Sequence, residues 1–364
     1  MSKIDPELSF QQILQQLTEE PGVPGHEAPV RRTMKRLIDP WAHEITTDRL
    51  GSLIAKRGYQ GPRIMIAGHL DEVGFMVSKI TKEGYVKFQT LGGWWSQVLP
   101  AQKVEVVTKK GRYIGVVGSK PPHLMDQNER KKGVSIDDLF IDFGVESEEE
   151  AEELGISLGD PIVPVSPFTT MPNPNRWLAK AMDNRLGCAI VIEVMKRLAD
   201  KETHPNQVYG VGTVMEEVGV RGARTSTATI KPDLAFVLDV GIASDTPGIG
   251  ELPSSCKLGE GPALTLYDAG HIAQPKFVQF AKEIAKREGI SIQYEFIQRG
   301  ATDAAAIHMH DQGVPTLSLC IPARYIHSHS SIIDKRDVFA CVEWLVAMME
   351  ELDEETVKSI QYDS

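Results

Sequence analysis

Two adjacent glutamates, Glu216 and Glu217, follow the apolar segment 208–214. The composition of this segment predicts a buried strand. Adjacent carboxylates at the end of such a strand repel each other unless cations or protons compensate them. Because neighbouring side chains of a strand point to opposite sides, one glutamate could face a metal and the other the space where a substrate binds. A solvated turn is the alternative for this pair taken alone.

Three further predicted strands also lead to a residue that can bind a metal. They are strand 63–68 before His69, strand 234–238 before Asp239, and strand 316–321 before His327. Ligands of open α/β sheets gather beyond the carboxyl ends of the strands, so these residues are expected where chemistry is done. Burying a carboxylate such as Asp239 without a partner would be costly, which favours a functional role for it.

Asp183 precedes the apolar segment 186–198, which predicts a largely buried helix. An aspartate near a helix start commonly caps free N–H groups, and this structural role stays open for Asp183. The alternative is a metal ligand, because five nitrogen and oxygen ligands suit two Zn²⁺- or Co²⁺-like ions when one carboxylate bridges them. The candidate ligands are His69, Asp183, Glu217, Asp239 and His327.

Helices and strands alternate in residues 1–72 and again in 165–364, which predicts an α/β domain whose sheet is covered by helices. Residues 73–164 differ, because short strand-like segments there are separated by glycines and polar turns. This spacing predicts a small β-barrel or sandwich inserted into the α/β domain. The expected domains are therefore 1–72 with 165–364, and 73–164.

The composition narrows the classes of function. The chain has 364 residues, of which 41% are hydrophobic and 24% charged, as in a soluble globular protein of about two domains. A net charge of −11 argues against nucleic acid or an anionic membrane as the main partner. The four cysteines form no Cys-x-x-Cys pair and are expected to be reduced. With no apolar signal segment at the start and no run long enough to cross a bilayer, the sequence predicts a cytoplasmic protein.

Five motifs, in order along the chain, resemble the dinuclear-metal aminopeptidases of peptidase family M42. They are Gly-His-Leu-Asp-Glu-Val-Gly at 68–74, Lys-Ala-Met-Asp-Asn-Arg at 180–185, Glu-Glu-Val-Gly at 216–219, Leu-Asp at 238–239 and Arg-Tyr-Ile-His-Ser at 324–328. The resemblance covers the whole chain and implies a zinc-peptidase-like catalytic domain, with a mixed sheet and helices on both of its faces. It also implies two divalent metal ions, Zn²⁺ or Co²⁺.

The resemblance also implies a role for each residue. Asp183 would bridge the two metals, His69 and Asp239 would bind one of them, and Glu217 and His327 would bind the other. Glu216 would be the general base, and Asp71 would orient the ring of His69, as metal-bound histidines commonly require. Short peptides would be the substrates. A homo-oligomer, in many members a tetrahedral shell of twelve subunits built through the β domain, is implied as well.

The preferred N-terminal residue stays open between acidic and neutral aliphatic types. Segments 25–31 and 323–329 resemble the glutamyl aminopeptidase branch, but an acid-selective pocket needs a cation. The stretch 263–266 before Tyr267, where an arginine would be sought, reads Ala-Leu-Thr-Leu. Cleavage after an N-terminal Leu or Met is therefore expected to be at least as efficient as cleavage after Glu. If a cation is present after all, the sequence offers His26, Arg221 and Arg324.

Two other classes of function compete with this interpretation. A glycoside hydrolase also uses two carboxylates, placed about 5–9.5 Å apart across a sugar bond, and some relatives in the family have been named endoglucanases. That function leaves His69 and His327 without a role. A non-catalytic binding or scaffolding protein would have no use for five ligands together with a base.

Overall fold

The computed structural model describes residues 9–201, 204–249 and 255–362, and these contain ten α-helices and seventeen β-strands. The helices are α1 Phe10–Glu19, α2 Ala28–Ile38, α3 Gln127–Lys132, α4 Glu148–Glu153, α5 Met182–Ala199, α6 Arg221–Ile230, α7 Pro275–Arg287, α8 Ala304–Ile307, α9 Lys335–Glu351 and α10 Glu354–Ile360. The first nine strands are β1 Glu44–Thr47, β2 Leu53–Arg57, β3 Arg63–His69, β4 Gly74–Ile80, β5 Val86–Leu91, β6 Lys103–Val107, β7 Arg112–Gly118, β8 Phe140–Asp142 and β9 Pro161–Pro164. The others are β10 Thr169–Thr170, β11 Arg176–Ala179, β12 Gln207–Thr213, β13 Leu234–Ile242, β14 Ala263–Tyr267, β15 Gln293–Phe296, β16 Thr316–Arg324 and β17 Ser331–Asp334.

Eleven of the described strands form one mixed sheet, whose main path runs β1-β2-β12-β3-β13-β16-β17-β11-β10. Off this path, β14 pairs with β16, and β15 pairs with β14. Both faces of this sheet are covered by helices. Along β3, Ile64 and Ile66 join the apolar cluster shared with α1, α2, α5, α7 and α9, whereas Met65 and Ala67 join the cluster shared with α6 and α8. This alternation follows from the twofold side-chain period of a strand. The predicted mixed α/β sheet with helices on both faces is confirmed.

Six strands close the barrel β4-β5-β8-β7-β6-β9 around a separate apolar core, which confirms the barrel alternative for this segment. The short strand β9 pairs with both β4 and β6 and so completes the closure. Trp94 belongs to this core, where its indole N–H donates to the Gly74 carbonyl and its ring stacks on Phe75. Trp95 is 67% exposed, so the two adjacent tryptophans have different roles.

The long helix α5 lies at the centre of the α/β region and contacts β3 and β13 as well as α1 and α9. Most of its residues are buried, in agreement with its nearly continuous apolar sequence. It begins at Met182, earlier than the predicted segment 186–198, and Asp183 and Asn184 within its first turn have non-helical backbone angles. No helix among the described residues is both long and apolar enough to cross a lipid bilayer.

Candidate metal centre

Four neighbouring strands bring four of the five candidate ligands to one edge of the sheet, and the fifth, Asp183, lies in the first turn of α5. Strand β3 is parallel to β12 and to β13, and β13 is parallel to β16, so the carboxyl ends of all four lie together. His69 is the last residue of β3, and the paired glutamates follow β12. Asp239 lies inside β13, which continues to Ile242 because its pairing with β16 extends beyond its pairing with β3. The predicted strand end at Leu238 is therefore wrong by a few residues.

The structure brings all five candidate ligands together, with Asp183 in the middle. One carboxylate oxygen of Asp183, Oδ1, lies 3.1 Å from His69 Nε2, and the other, Oδ2, lies 3.4 Å from His327 Nε2. Asp239 Oδ1 is 3.8 Å from His69 Nε2, and Glu217 Oε2 is 3.5 Å from His327 Nε2. Each histidine thus faces Asp183 and at least one further carboxylate. The alternative role of Asp183 as a helix cap is not observed, because its side chain faces the two histidines.

The ligand atoms fall into three overlapping groups that could each hold a metal ion, with all atoms of a group within 4.8 Å of one another. The groups are His69 with Asp183 and Asp239, Asp183 with Glu217 and His327, and His69 with Glu216 and Glu217. The first two groups match the two metals implied by the family resemblance. The third includes Glu216, whose Oε2 lies 3.9 Å from His69 Nε2, so distance alone does not separate a base from a ligand at this position.

The electrostatics of the cluster favour added positive charge. Burial raises the pKa of Glu216 and Asp239 well above the ordinary range. Burial, together with the negative charge of Asp183, raises the pKa of Glu217 to about 8. Burial alone would lower the pKa of His327, but the carboxylates of Asp183 and Glu217 outweigh it and raise the pKa to about 10. Without metal, protons compensate the carboxylates, and divalent cations would do the same.

One buried oxygen atom is a specific reason to expect a cation at this site. Glu217 Oε1 is buried and has no hydrogen-bond partner among the described residues. Leaving such an atom without a partner is costly, and coordination to a metal ion would satisfy it. Imidazole nitrogens and carboxylate oxygens without any thiolate also suit Zn²⁺ or Co²⁺. The residues present therefore fit the implied metals.

Asp71 supports the centre, but in a different way from the one expected. Its carboxylate accepts hydrogen bonds from the backbone N–H groups of Glu216 and Glu217, each at 3.0 Å. The Nδ1 atom of His69 lies 3.0 Å from the backbone carbonyl of Asp71 and 3.7 Å from its carboxylate. The backbone of Asp71 thus orients the histidine ring, and its side chain fixes the two glutamates.

A buried ionic cluster connects the same segments and was not identified from the sequence. The Lys180 ammonium donates to both carboxylate oxygens of Glu72, at 2.7 and 2.6 Å, and Arg185 lies 3.3 Å from the same carboxylate. Arg185 also donates to the backbone carbonyls of Leu17 and Leu70. Since Glu72 follows the His69 segment and Lys180 and Arg185 flank Asp183, this cluster holds two ligand-bearing segments in place. The sequence signal that could have identified these three residues was their proximity to the candidate ligands along the chain.

Five non-glycine residues with left-handed backbone angles lie in the segments that carry the ligands: Ala181, Met215, Val220, Tyr325 and His327. Such conformations cost free energy and persist only where surrounding contacts impose them, and they are common at functional sites. Here they turn the chain sharply beside the ligands. No residue type in the sequence indicated these positions, because none is glycine.

A cleft of about 580 Å³ opens above the ligands. Beyond the ligands, its wall includes the apolar residues Val220, Ile242 and Ile297 and one cation, Arg299. None of His26, Arg221 and Arg324 lines this cleft, and Arg324 pairs with Asp245 at 2.7 Å. Thr265 is buried and donates to Glu295. Sequence reasoning missed Arg299.

The fold and the cluster together define a class: α/β proteins with a histidine and carboxylate centre suited to divalent metal ions at the carboxyl edge of a mixed sheet. The family model of the M42 glutamyl aminopeptidases matches residues 51–344. The chain therefore belongs to peptidase family M42, a family of metallopeptidases, and it is a hydrolase acting on peptide bonds.

Relatives in this family are similar over almost their whole length. The glutamyl aminopeptidase of Lactococcus lactis subsp. cremoris is 38% identical over 95% of this chain and 97% of its own. The lysyl aminopeptidase of Pyrococcus furiosus is 35% identical over 94% of this chain and 97% of its own. The crystal structure of the TET aminopeptidase from Thaumarchaeota archaeon SCGC AB-539-E09 superimposes with a TM-score of 0.95 at 44% identity, over 97% of this chain and 99% of the other.

Two further solved structures concern assembly and activity. The TET1 peptidase of Pyrococcus horikoshii, described as able to assemble into a tetrahedron or a large octahedral shell, is 33% identical with a TM-score of 0.85, over 94% of this chain and all of its own. A structure from Thermotoga maritima described as an endoglucanase is 32% identical with a TM-score of 0.76, over 96% of this chain and 99% of its own.

Proposed function

We propose that this protein is a metal-dependent aminopeptidase that removes N-terminal residues from short peptides, with two divalent ions and with Glu216 as general base. The observation that carries the proposal is the placement of Asp183 between His69 and His327, each of which has a further carboxylate beside it. His69 and Asp239 would hold one ion, Glu217 and His327 the other, and Asp183 would contact both.

When bound, the ions would supply a water of lowered pKa and polarise the scissile carbonyl. Glu216 lies on the wall of the cleft and is 9% exposed. Its carboxylate would accept a proton from the attacking water and return it to the leaving amine. Asp71 would hold the backbone of both glutamates, so that the base and the neighbouring ligand keep a fixed relation to each other.

The cleft wall supports neutral aliphatic N-terminal residues at least as well as acidic ones. Val220, Ile242 and Ile297 offer an apolar surface, and burying a Leu or Met side chain contributes about 1.5–3 kcal/mol. Arg299 is exposed, and an ion pair at an exposed site contributes about 0–1 kcal/mol. The apolar contribution is therefore the larger one.

The β-barrel residues 73–164 are proposed to form an inserted domain for oligomerisation and control of substrate access. Ile114, Val116 and Leu124 in this segment are exposed apolar residues that would be covered by assembly. We propose a homo-oligomer, with the tetrahedral twelve-subunit shell as the arrangement to test by analytical ultracentrifugation and electron microscopy. The four free, buried cysteines fit the proposed cytoplasmic location, and the net charge of −11 fits peptides better than nucleic acid as partners.

The decisive experiment is a panel of aminoacyl chromogenic amides assayed before and after removal of metal, with cellodextrins as the test of glycoside hydrolysis. A strong chelator should abolish aminopeptidase activity, and Zn²⁺ or Co²⁺ should restore it. Full activity in metal-stripped protein would refute the dinuclear mechanism. Cleavage of cellodextrins without cleavage of any amide would favour the glycoside hydrolase alternative. The similar structure described as an endoglucanase is the reason to include this substrate.

A further inference from the structure

A second cleft, of about 630 Å³, adjoins the metal centre and is not explained by the ligands. Its walls come from the barrel segment 93–102 and from the segment 325–330 that follows β16. It shares Gly93, Ile326 and His327 with the cleft above the ligands. The other four candidate ligands lie only on the first cleft, so the second one extends the binding surface away from the centre on the His327 side.

His329 is an unpartnered polar group on the wall of this second cleft. Its side chain is 5% exposed, and neither ring nitrogen has a hydrogen-bond partner among the described residues. The ring is held edge-on against Trp94, with 5.4 Å between the ring centres. A buried imidazole without partners is costly, and a ligand that donates and accepts hydrogen bonds would remove that cost.

Two large aromatic side chains on the same cleft are exposed. Trp95 is 67% exposed and Tyr325 is 56% exposed, and both line the second cleft. The neighbouring His327 ring is held by its Nδ1 contact with the Gly93 carbonyl at 2.9 Å. Exposed aromatic rings of this kind on a concave, rigid surface provide contact area for a ligand at low entropic cost.

We propose that the second cleft binds the part of the peptide on the C-terminal side of the scissile bond. Trp95 and Tyr325 contact the peptide's side chains, and His329 hydrogen-bonds one of its main-chain groups. This inference rests on the proposed function. An aminopeptidase substrate places its first residue in the cleft with the ligands, and the rest of the chain must leave that cleft on a connected surface. The shared residues Gly93, Ile326 and His327 provide that connection.

The test compares a tripeptide with an N-terminal Leu and leucinamide, whose leaving group is only ammonia. For Trp95→Ala and His329→Phe, the ratio of kcat/KM on the tripeptide to kcat/KM on the amide should fall about tenfold relative to wild type. His329→Gln, which retains a donor and an acceptor, should retain more of this ratio than His329→Phe. Tyr59→Ala is the matched control, because Tyr59 is 75% exposed but lies on neither cleft, and its ratio should stay within about twofold.

The outcomes separate this inference from the function on which it rests. An unchanged ratio in Trp95→Ala and His329→Phe, with wild-type metal content, would overturn it. A changed sedimentation coefficient in Trp95→Ala with an unchanged ratio would show that the surface joins copies of the chain instead. Wild-type protein that cleaves neither substrate in the presence of metal would refute the proposed aminopeptidase function itself. Trp95 is on the surface, so its variant keeps the test valid if His329→Phe does not fold.

Discussion

The paired glutamates are expected to respond differently to the same conservative change. Glu216→Gln keeps the size of the side chain but removes the proposed base, so kcat should fall by about 10²–10⁴ while both metals remain bound. Each factor of ten corresponds to about 1.36 kcal/mol, so this loss amounts to about 2.7–5.4 kcal/mol of transition-state stabilisation. Metal retention in Glu216→Gln tests this role, because the distance of 3.9 Å between Glu216 Oε2 and His69 Nε2 would also suit a metal ligand.

Glu217→Gln should instead affect metal binding. The Oε1 atom of Glu217 is buried without a partner among the described residues, and Oε2 lies 3.5 Å from His327 Nε2. A neutral amide in this place removes an anionic ligand and places N–H donors where a cation should bind. Residues that only support a ligand already change metal affinity by about 10–100-fold when mutated, so the loss here should be at least as large. Excess metal should restore part of the activity.

The assay combines metal content by elemental analysis with kcat for each variant at low and high metal concentration. Glu193→Gln is the matched control, since Glu193 is also 9% exposed but pairs with Arg197 on α5, and it should keep both metal content and kcat. Loss of metal in Glu216→Gln with retention of both ions in Glu217→Gln would show that the roles are reversed. If neither variant changes metal content or rate, this edge of the sheet is not the active site.

Three further outcomes are expected. Glu72→Gln leaves two buried cations without their anion and should lower the free energy of unfolding by about 3–5 kcal/mol. Glu343→Gln, which removes a 57% exposed carboxylate from its pair with Arg197, should change it by about 0–1 kcal/mol, and equal losses in denaturant titrations would contradict this reasoning. Metal affinity should rise with pH, because in the metal-free protein the pKa of Glu217 is about 8 and that of His327 about 10, so both hold protons at pH 7 that the metal must displace. Calorimetry in buffers of different ionisation enthalpy measures the number of protons released on metal binding. Metal binding without proton release would contradict this prediction. Leu amides should be cleaved at least as well as Glu amides, and Arg299→Gln should lower kcat/KM for Glu amides only. A tenfold preference of the wild type for Glu amides would show that Arg299 or another cation dominates the pocket.

The sequence indicated most of the centre because four of the five candidate ligands follow an apolar strand-like segment. A strand that carries apolar residues up to a histidine or carboxylate can be recognised from its own composition, as at His69 and Asp239. The family motifs then predicted how these residues divide between two metals. The mixed sheet and the barrel were also predictable, since both leave a periodic pattern of apolar residues.

Contacts between distant segments decided the rest. The sequence could not show that the Asp71 carboxylate bonds to the backbone of Glu216 and Glu217, or that β13 continues to Ile242, because both depend on what a neighbouring segment offers. The positions with left-handed backbone angles are likewise set by surrounding contacts, as the residues concerned have no intrinsic preference for them.

The amino-acid sequence alone predicted the candidate metal ligands, the strand segments that lead to four of them, and the change from α/β to barrel texture at residues 73–164. These follow from local composition and from side-chain periodicity, which each segment carries alone. Only the tertiary structure placed Asp183 between the two histidines, put Arg299 on the first cleft and His329 on the second, and joined Glu72 to Lys180 and Arg185. Such contacts join residues far apart in the chain, and their energies depend on burial and distance, which exist only after the chain has folded.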